Sequence, residues 1–366
     1  MSVPVPAAPS PLAIGATIGI VGGGQLGRML ASAAARLGYA TLVLDPDGAC
    51  PAAQVATATI KGRYDDTAAL AELAARSAVV TYEFENVPVE PIRVVEASVP
   101  VFPPPNALEV SQDRVVEKAF LNGIGVATAP WRGVDTAQEL DHALIDLGGD
   151  CILKTRRFGY DGKGQATIRQ KSPYADAFES LGGAPSILEK KIPFLYELSI
   201  IAARGRTGEI RAYDAAENVH SLGILKRSTV PGRIPLYVAA EAAAIATEIL
   251  ERLAYVGVIG VEFFATQSGL LVNEIAPRVH NSGHWTEAAS VTSQFEQHIR
   301  AVAGLPLGET QRHSDCVMEN LIGSEVDKAL DLLAEPNLVL TLYGKSEARP
   351  GRKMGHFTRL EPLGAA

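Results

Sequence analysis

The sequence predicts an α/β fold at its start and an α+β fold beyond it. Short β-branched runs alternate with alanine-rich helical stretches up to about residue 100, the rhythm of a parallel sheet flanked by helices. From residue 151 onward strands come in pairs joined by glycine turns, which are antiparallel hairpins. No apolar stretch reaches the roughly 18 residues that a membrane-spanning helix needs.

Taken in order, "TIGIV" (17–21) is a strand, 26–37 a helix, "YATLVLD" a strand, 67–76 a helix and "AVVTYEF" a strand. The prolines at 103–105 punctuate the chain before a helix at 107–122. Hairpins follow in "ILKTRRFGYDGKGQATIR", "ELSIIAARGRTGEIRAYDA" and "VGVIGVEFFATQSGLLVNEIAP", with helices near 238–253 and 285–303. The tail, 314–366, holds short strands around "VMENLIG" and "LVLTLYG" and ends in the basic loop "KSEARPGRKMGH". The start, rich in Pro and Ala and without Lys or Arg, reads as a disordered extension rather than a signal peptide.

Length and composition narrow the function classes. A chain of 366 residues carries two or three domains. A net charge of −8 offers no basic field for nucleic acid. Cys50, Cys151 and Cys316 are far apart, which fits a reducing cytoplasm and neither a disulfide framework nor a zinc site.

Three motifs carry chemistry. In "TIGIVGGGQLGRML", Gly22, Gly24 and Gly27 have the G-x-G-x-x-G spacing of a dinucleotide fold, and Asp45 follows at a distance that suits a ribose diol. In "GVIGVEFFATQSGLLVNEIAPR", a turn centred near Ser268 makes Glu262 and Glu274 equidistant and opposite. Two facing carboxylates repel unless a divalent cation joins them, and Asn273 offers a further oxygen. The alternative is a pair of solvated glutamates. In "CILKTRRFGYDGKGQATI", Lys154 on a strand precedes Gly159, Gly162 and Gly164, a loop able to approach phosphate closely, though without the Walker A pattern. A plain glycine-rich hairpin is the alternative there. Glu189 ends an apolar strand, and Glu197 follows a short linker.

With "TYEFENVP", "QDRVVEK", "LEKKIPFLYELSI", "VNEIAPRVHNSGHWT" and "LYGKSEARPGRKMGH", these motifs run in order from about 17 to 357. Together they resemble the 5-(carboxyamino)imidazole ribonucleotide synthase family of ATP-grasp carbon–nitrogen ligases. After the stretch at 1–15, which composition makes a disordered extension and which departs from the family, the resemblance implies a Rossmann-like domain at 16–112, a lid at 113–190, the main ATP-grasp unit at 191–305 and a small C-terminal domain at 306–366. It implies ATP and bicarbonate as co-substrates of aminoimidazole ribonucleotide, with Mg²⁺, or Mn²⁺ as the alternative ion. A homodimer, a cytoplasmic location and transient hand-off to a downstream mutase are further expectations; membranes and nucleic acid are not.

The resemblance also assigns residues. Arg114 and Lys154 meet the phosphates under the loop Gly159, Tyr160, Asp161, Gly162, Lys163, Gly164 and Gln165. Glu189, Lys190, Lys191 and Ile192 frame the adenine, Glu197 meets the ribose with His220 nearby, and Glu262 and Glu274 hold the metal beside Asn273. For the ribotide it gives Gln25, Leu26 and Glu83, then Tyr160, Asp161 and Lys163, then Arg278, His280, Asn281 and Ser282, then Lys345 and Arg352. Asp161, Arg278 and Lys345 are the catalytic candidates, Asp161 for the amine proton. On this view the glycine loop faces the ribotide and not a nicotinamide cofactor. A sister ATP-grasp enzyme acting on another acceptor and a non-catalytic nucleotide sensor are the rival readings.

Overall fold

The first parallel sheet is assembled by strands whose alternation with helices leaves both faces covered. A computed structural model describes residues 10–159, 164–170, 174 and 176–364. Strands β1 (Thr17–Val21), β2 (Ala40–Asp45), β3 (Ala58–Lys61) and β4 (Val79–Tyr82) lie in the order β3-β2-β1-β4, all parallel. Helix α1 (Gln25–Arg36) buries Leu26, Met29, Leu30, Ala33 and Ala34, one stripe at helical spacing. Helices α2 (Thr67–Ala75) and α3 (Val89–Glu96) complete this layer.

The helix expected at 107–122 is two helices, α4 (Pro105–Ser111) and α5 (Arg114–Gly123). Asp113 is the cause: its carboxylate accepts from the amides of Val115 and Val116, and so starts a new helix in mid-pattern. The result is functional, since Arg114 becomes the first residue of α5.

A second, four-stranded antiparallel sheet has the order β5-β8-β6-β7, from β5 (Trp131–Val134), β6 (Cys151–Thr155), β7 (Gln165–Ile168) and β8 (Ser186–Lys190). Helix α6 (Ala137–Leu147), started by a Thr136–Glu139 capping box, and the single turn α7 (Ala177–Ser180) cover it.

Among the described residues the largest sheet has nine strands. β9 (Tyr196–Arg204), β10 (Ile210–Ala212), β11 (Ala216–Ser221), β12 (Ile224–Val230), β13 (Gly257–Thr266) and β14 (Gly269–Ala276) are joined by strands from the tail. Its order is β14-β13-β9-β11-β12-β15-β17-β16, with β10 paired to β9, where β15 is Asp315–Ile322, β16 Leu338–Leu342 and β17 Lys353–Glu361. The tail thus continues the central sheet through β12 and β15. The basic loop is shorter than expected, because β17 already begins at Lys353.

Helix α8 (Leu236–Arg252) packs Val238, Ala242, Ala246, Ile249 and Leu250 into the core beneath this sheet. The helix expected at 285–303 is interrupted. α9 (Thr286–Ala289) stops at extended Ser290, and Ser293 caps α10 (Gln294–Ala303), which ends at left-handed Gly304. One further turn, α11 (Ala329–Leu332), precedes β16. Among the described residues no helix is long and apolar enough to cross a membrane.

Candidate active site

The site begins with register. Thr266 pairs with Gly269, so the tight turn is Gln267–Ser268 and its centre lies half a residue before Ser268. On that register alone Glu262 would face Asn273. A β-bulge between Glu262 and Phe263 adds one residue to β14, and Glu262 pairs directly with Glu274. The bulge sets Asn273 beside both: its Nδ2 lies 3.4 Å from Glu262 Oε2. The expected pairing holds, by a bulge the sequence does not announce.

Neighbouring strands extend the same face. Glu262 pairs with Ser199 and Phe264 with Glu197 across β13 and β9. Alternation therefore places Glu197, Ser199, Glu262 and Glu274 on one side of the sheet. His220 Nδ1 meets Glu197 Oε2 at 2.5 Å, and His280 Nε2 lies 3.6 Å from Glu262 Oε1. A narrow cleft lined by Glu197, Asn218, His220, Glu262, Phe264 and Asn273 opens there.

Cations rim this acidic face. Arg114 donates to Glu274 Oε2 at 3.2 Å and to the Gly159 carbonyl at 3.1 Å, linking the metal-binding candidate to the glycine loop of the lid. Lys154, on β6, meets Glu189 Oε2 at 2.5 Å. Lys118 is buried between the two sheets, 3.6 Å from Glu189 Oε1, and donates to the carbonyls of Val272 and Asn273. Glu117 accepts from the Ile275 amide at 3.2 Å. Neither Glu117 nor Lys118 stands out in the sequence, where "RVVEKAF" reads as an ordinary amphipathic helix. The Asp113 cap and the Arg114–Glu117–Lys118 spacing were the available signals.

Electrostatics divide the carboxyls. Burial and then the charge of Glu274 push Glu262 up to about 7. Burial also opposes the charge of Glu274, but the Arg114 guanidinium outweighs it and holds this carboxyl below its usual range. Glu189, despite burial, is held at about 2 by Lys154 and Lys118. Burial pushes Glu117 to about 8. Glu262 and Glu274 thus face each other with too little positive charge, and their donors, with the Asn273 side-chain oxygen, are all hard oxygens. That set fits a Mg²⁺-type ion completed by phosphate oxygens.

The other predicted residues fall into two groups. Lys190 turns away, donating to the Leu147 carbonyl, while the Lys191 amide bonds Asp150 and the Ile192 carbonyl accepts from Phe194. Arg278 meets Glu85 Oε2 at 2.5 Å, holding that carboxyl at about 2 against its burial. Asn281 and Asn320 exchange reciprocal amide bonds, and His280 and Ser282 bond each other. In the tail, Lys345 donates to the Lys353 carbonyl and Arg352 to the Glu347 carbonyl, which gives the basic loop a fixed shape. Lys353, not anticipated, is the tail cation whose charge reaches His280. Tyr160, Asp161, Gly162 and Lys163 lie outside the described residues.

The amides of the glycine loop turn to the chain's own carboxylates. Glu83 accepts from the amides of Gly24 and Gly27, each at 2.5 Å, at the N-terminus of α1 beside Gln25 and buried Leu26. Asp45 is engaged by the Gly23 amide and the Tyr64 hydroxyl, both at 2.7 Å. Three amide donors of the loop, those of Gly23, Gly24 and Gly27, are already used by the chain's own carboxylates.

Known proteins match this architecture along the chain. Residues 15–112 match the ribonucleotide synthetase preATP-grasp domain, 119–295 the ATP-grasp domain and 316–363 the phosphoribosylaminoimidazole carboxylase C-terminal domain. The N5-carboxyaminoimidazole ribonucleotide synthase of Brucella melitensis is 59% identical over 351 residues, covering 95% of this chain and 97% of that protein. A Staphylococcus aureus N5-carboxyaminoimidazole synthetase complexed with ADP superposes with a TM-score of 0.92 at 38% identity, covering 95% of this chain and 94% of the other. An Aspergillus clavatus synthase in complex with ADP and 5-aminoimidazole ribonucleotide does so with a TM-score of 0.88 at 31% identity, over 95% and 94%. The chain has the ATP-grasp fold and belongs to the N5-carboxyaminoimidazole ribonucleotide synthase family.

Proposed function

We propose that the chain is a ligase that uses ATP and bicarbonate to carboxylate the exocyclic amine of 5-aminoimidazole ribonucleotide. It releases ADP and phosphate and yields N5-carboxyaminoimidazole ribonucleotide in de novo purine synthesis. One observation carries the chemistry: the direct pairing of Glu262 with Glu274 on a face rimmed by Arg114, Lys118 and Lys154. A buried acidic pair beside three cations suits a divalent ion and a polyphosphate, and no neutral ligand needs both.

Glu262 and Glu274, with Asn273 beside them, would hold Mg²⁺ or Mn²⁺, which supplies charge neutralisation at the β- and γ-phosphates. The chain's own groups do the rest. Arg114 and Lys154 take up the charge that develops as an oxygen of bicarbonate bonds the γ-phosphorus and the β–γ bridging bond breaks, releasing ADP. Glu197, with His220 against it, is the ribose acceptor, and the 189–192 segment presents its backbone to the adenine edge. The amine nitrogen then bonds the carboxyl carbon of carboxyphosphate as the carbon–oxygen bond to phosphate breaks, or carboxyphosphate first splits into phosphate and CO₂ and the amine bonds the carbon of the trapped CO₂. The amine proton goes to a base, for which Asp161 is the candidate. Gln25, Leu26, Glu83, Arg278, His280, Asn281, Ser282, Lys345 and Arg352 form the ribotide side. The 159–165 loop keeps water from the reactive carboxyl.

The enzyme works in the cytoplasm as a homodimer and hands its product to a mutase. The deciding experiment measures ADP release with and without aminoimidazole ribonucleotide and bicarbonate. Release that needs both supports the reading. Release driven instead by formate with glycinamide ribotide, or by biotin, assigns a sister reaction, and nucleotide binding without acceptor-dependent release makes the chain a sensor.

A further inference from the structure

A chain of buried polar side chains leads to Ser282 and His280 of the ribotide side, and three of its members, Ser199, Asn218 and Ser228, have no role in the reaction just described. Ser228 donates to Asn218 Oδ1 at 2.7 Å, and Asn218 Nδ2 donates to Ser199 Oγ at 2.9 Å. Ser199 donates to Ser282 Oγ at 2.7 Å, and Ser282 Oγ lies 2.9 Å from His280 Nδ1. Ser199, Ser228, Asn218 and Ser282 are each at most 5% exposed, so solvent does not compete for these bonds. The strands dictate the arrangement: Asn218 pairs with Ser228 across β11 and β12, and Ser199 pairs with Glu262 across β9 and β13.

The direction of the chain follows from one backbone group. The Ser282 amide points at His280 Nδ1, 3.4 Å away, and an amide N–H can only donate. Nδ1 is therefore an acceptor, and a neutral imidazole that accepts at Nδ1 carries its proton at Nε2. The Ser282 hydroxyl spends its single proton on Nδ1 and must accept from Ser199. Ser199 has then spent its own proton and must accept from a pure donor, which is Asn218 Nδ2. Asn218 Oδ1 is left to accept from Ser228. The amide orientation at one end and the backbone N–H at the other impose the same polarity on every link.

The imidazole is held as firmly as its proton. Gln294 accepts from the His280 amide at 2.9 Å and donates to the His280 carbonyl at 2.8 Å. Gly260 makes room for the ring, since a Cβ there would sit 2.5 Å from His280 Cβ. Nε2 consequently faces Glu262 Oε1 at 3.6 Å, too far for a full hydrogen bond between them and open to an oxygen placed beside the carboxylate.

We propose that Asn218, acting through Ser199 and Ser282, is a positioning residue that holds His280 with its proton on Nε2, aimed at the oxygen anion that reacts beside Glu262. The identity of that anion as bicarbonate or its phosphorylated form rests on the function proposed above; the proton placement does not. The relay works because each hydroxyl has one proton to give, so a change of polarity at Asn218 is passed to the ring about three side chains away.

The test uses the full chain labelled with ¹⁵N in its histidine rings, with NMR reporting which ring nitrogen carries the proton. The wild type should show His280 protonated at Nε2, assigned by loss of the signal in His280→Gln. Asn218→Asp offers acceptors to both serines, reverses each hydroxyl, and should move the population towards Nδ1–H. Its kcat for acceptor-dependent ADP release should fall about 10- to 100-fold, with KM for ATP within about twofold. Ser199→Ala breaks the relay without reversing it and should give mixed tautomers and a smaller loss of kcat. A wild-type ring protonated at Nδ1, or an Asn218→Asp protein and a Ser199→Ala protein that both keep the wild-type tautomer and kcat, overturns the proposal. Because the ring signal is read without substrate, a wrong acceptor in the assay is told apart from a wrong relay.

Discussion

Glu117 is a carboxyl whose charge state is set chiefly by burial. Burial pushes its carboxyl to about 8, above the ordinary carboxylate range it has in the unfolded chain. The folded state therefore binds more protons than the unfolded one between roughly pH 4.5 and 8, so this group's stabilisation is full at low pH and is lost as pH rises through that window. Its slope is at most about 1.4 kcal/mol per pH unit. Glu117→Gln should flatten the fall in unfolding free energy over that window relative to wild type, in urea titrations at several pH values. Equal slopes in the two proteins would contradict the assignment. Lys118 beside it is a buried cation paired with Glu189. Lys118→Met leaves Glu189 with less compensation in a buried setting, and a loss of about 3 kcal/mol is expected from chemical denaturation. The sequence shows Glu262 and Glu274 because hairpin symmetry is readable from residue numbers. It hides Glu117 and Lys118 because a charge on one helix acquires meaning only from the strand packed against it.

At the scale of elements, the start of α5 decides the geometry of the phosphate side. Asp113 both caps this helix and meets Arg156 at 2.9 Å, so one carboxylate ties the helix to the end of β6. Asp113→Ala should cost about 1–3 kcal/mol of stability by loss of the cap and an unpaired Arg156, and should raise KM for ATP more than it lowers kcat. Asp113→Asn, which keeps the cap, should recover most of the stability. The β13–β14 hairpin teaches the complementary lesson. Counting outward from a turn at Ser268 pairs Glu262 with Glu274, yet the turn is centred half a residue earlier and a bulge restores the register. Turn position and bulge are both backbone choices that side-chain periodicity does not encode. The interrupted helices at 105–123 and 286–303 have the same origin: Asp113 and Ser293 are capping residues inside apolar patterns that continue across the break.

Across the whole molecule, the lid sheet and the nine-stranded sheet meet through a small set of polar links. These include Arg114, which joins the Gly159 carbonyl to Glu274 on β14, Lys118, which joins Glu189 to the carbonyls of Val272 and Asn273, and the bridge between Thr128 and Val272. Most of them end on groups that a nucleotide would engage. Saturating ADP with Mg²⁺ should slow hydrogen exchange of the β6 and β7 amides more than that of β1 and β2; uniform slowing would argue against a site between the two sheets. The α/β-then-α+β division was legible from strand spacing, whereas the union of the tail with the central sheet was not. β12 and β15 are separated by some 85 residues and pair because both are edges until they meet.

The proposed function has Glu262 and Glu274 sharing a cation that grips the nucleotide. Its most direct test is electron paramagnetic resonance of Mn²⁺ titrated into the protein with ADP present, in wild type, Glu262→Gln and Glu274→Gln, with circular dichroism to verify the fold. The wild type should bind an ADP-dependent ion that is lost in both variants, and Glu274→Gln should also lose ADP formation. An undiminished bound-ion signal in either folded variant would contradict it.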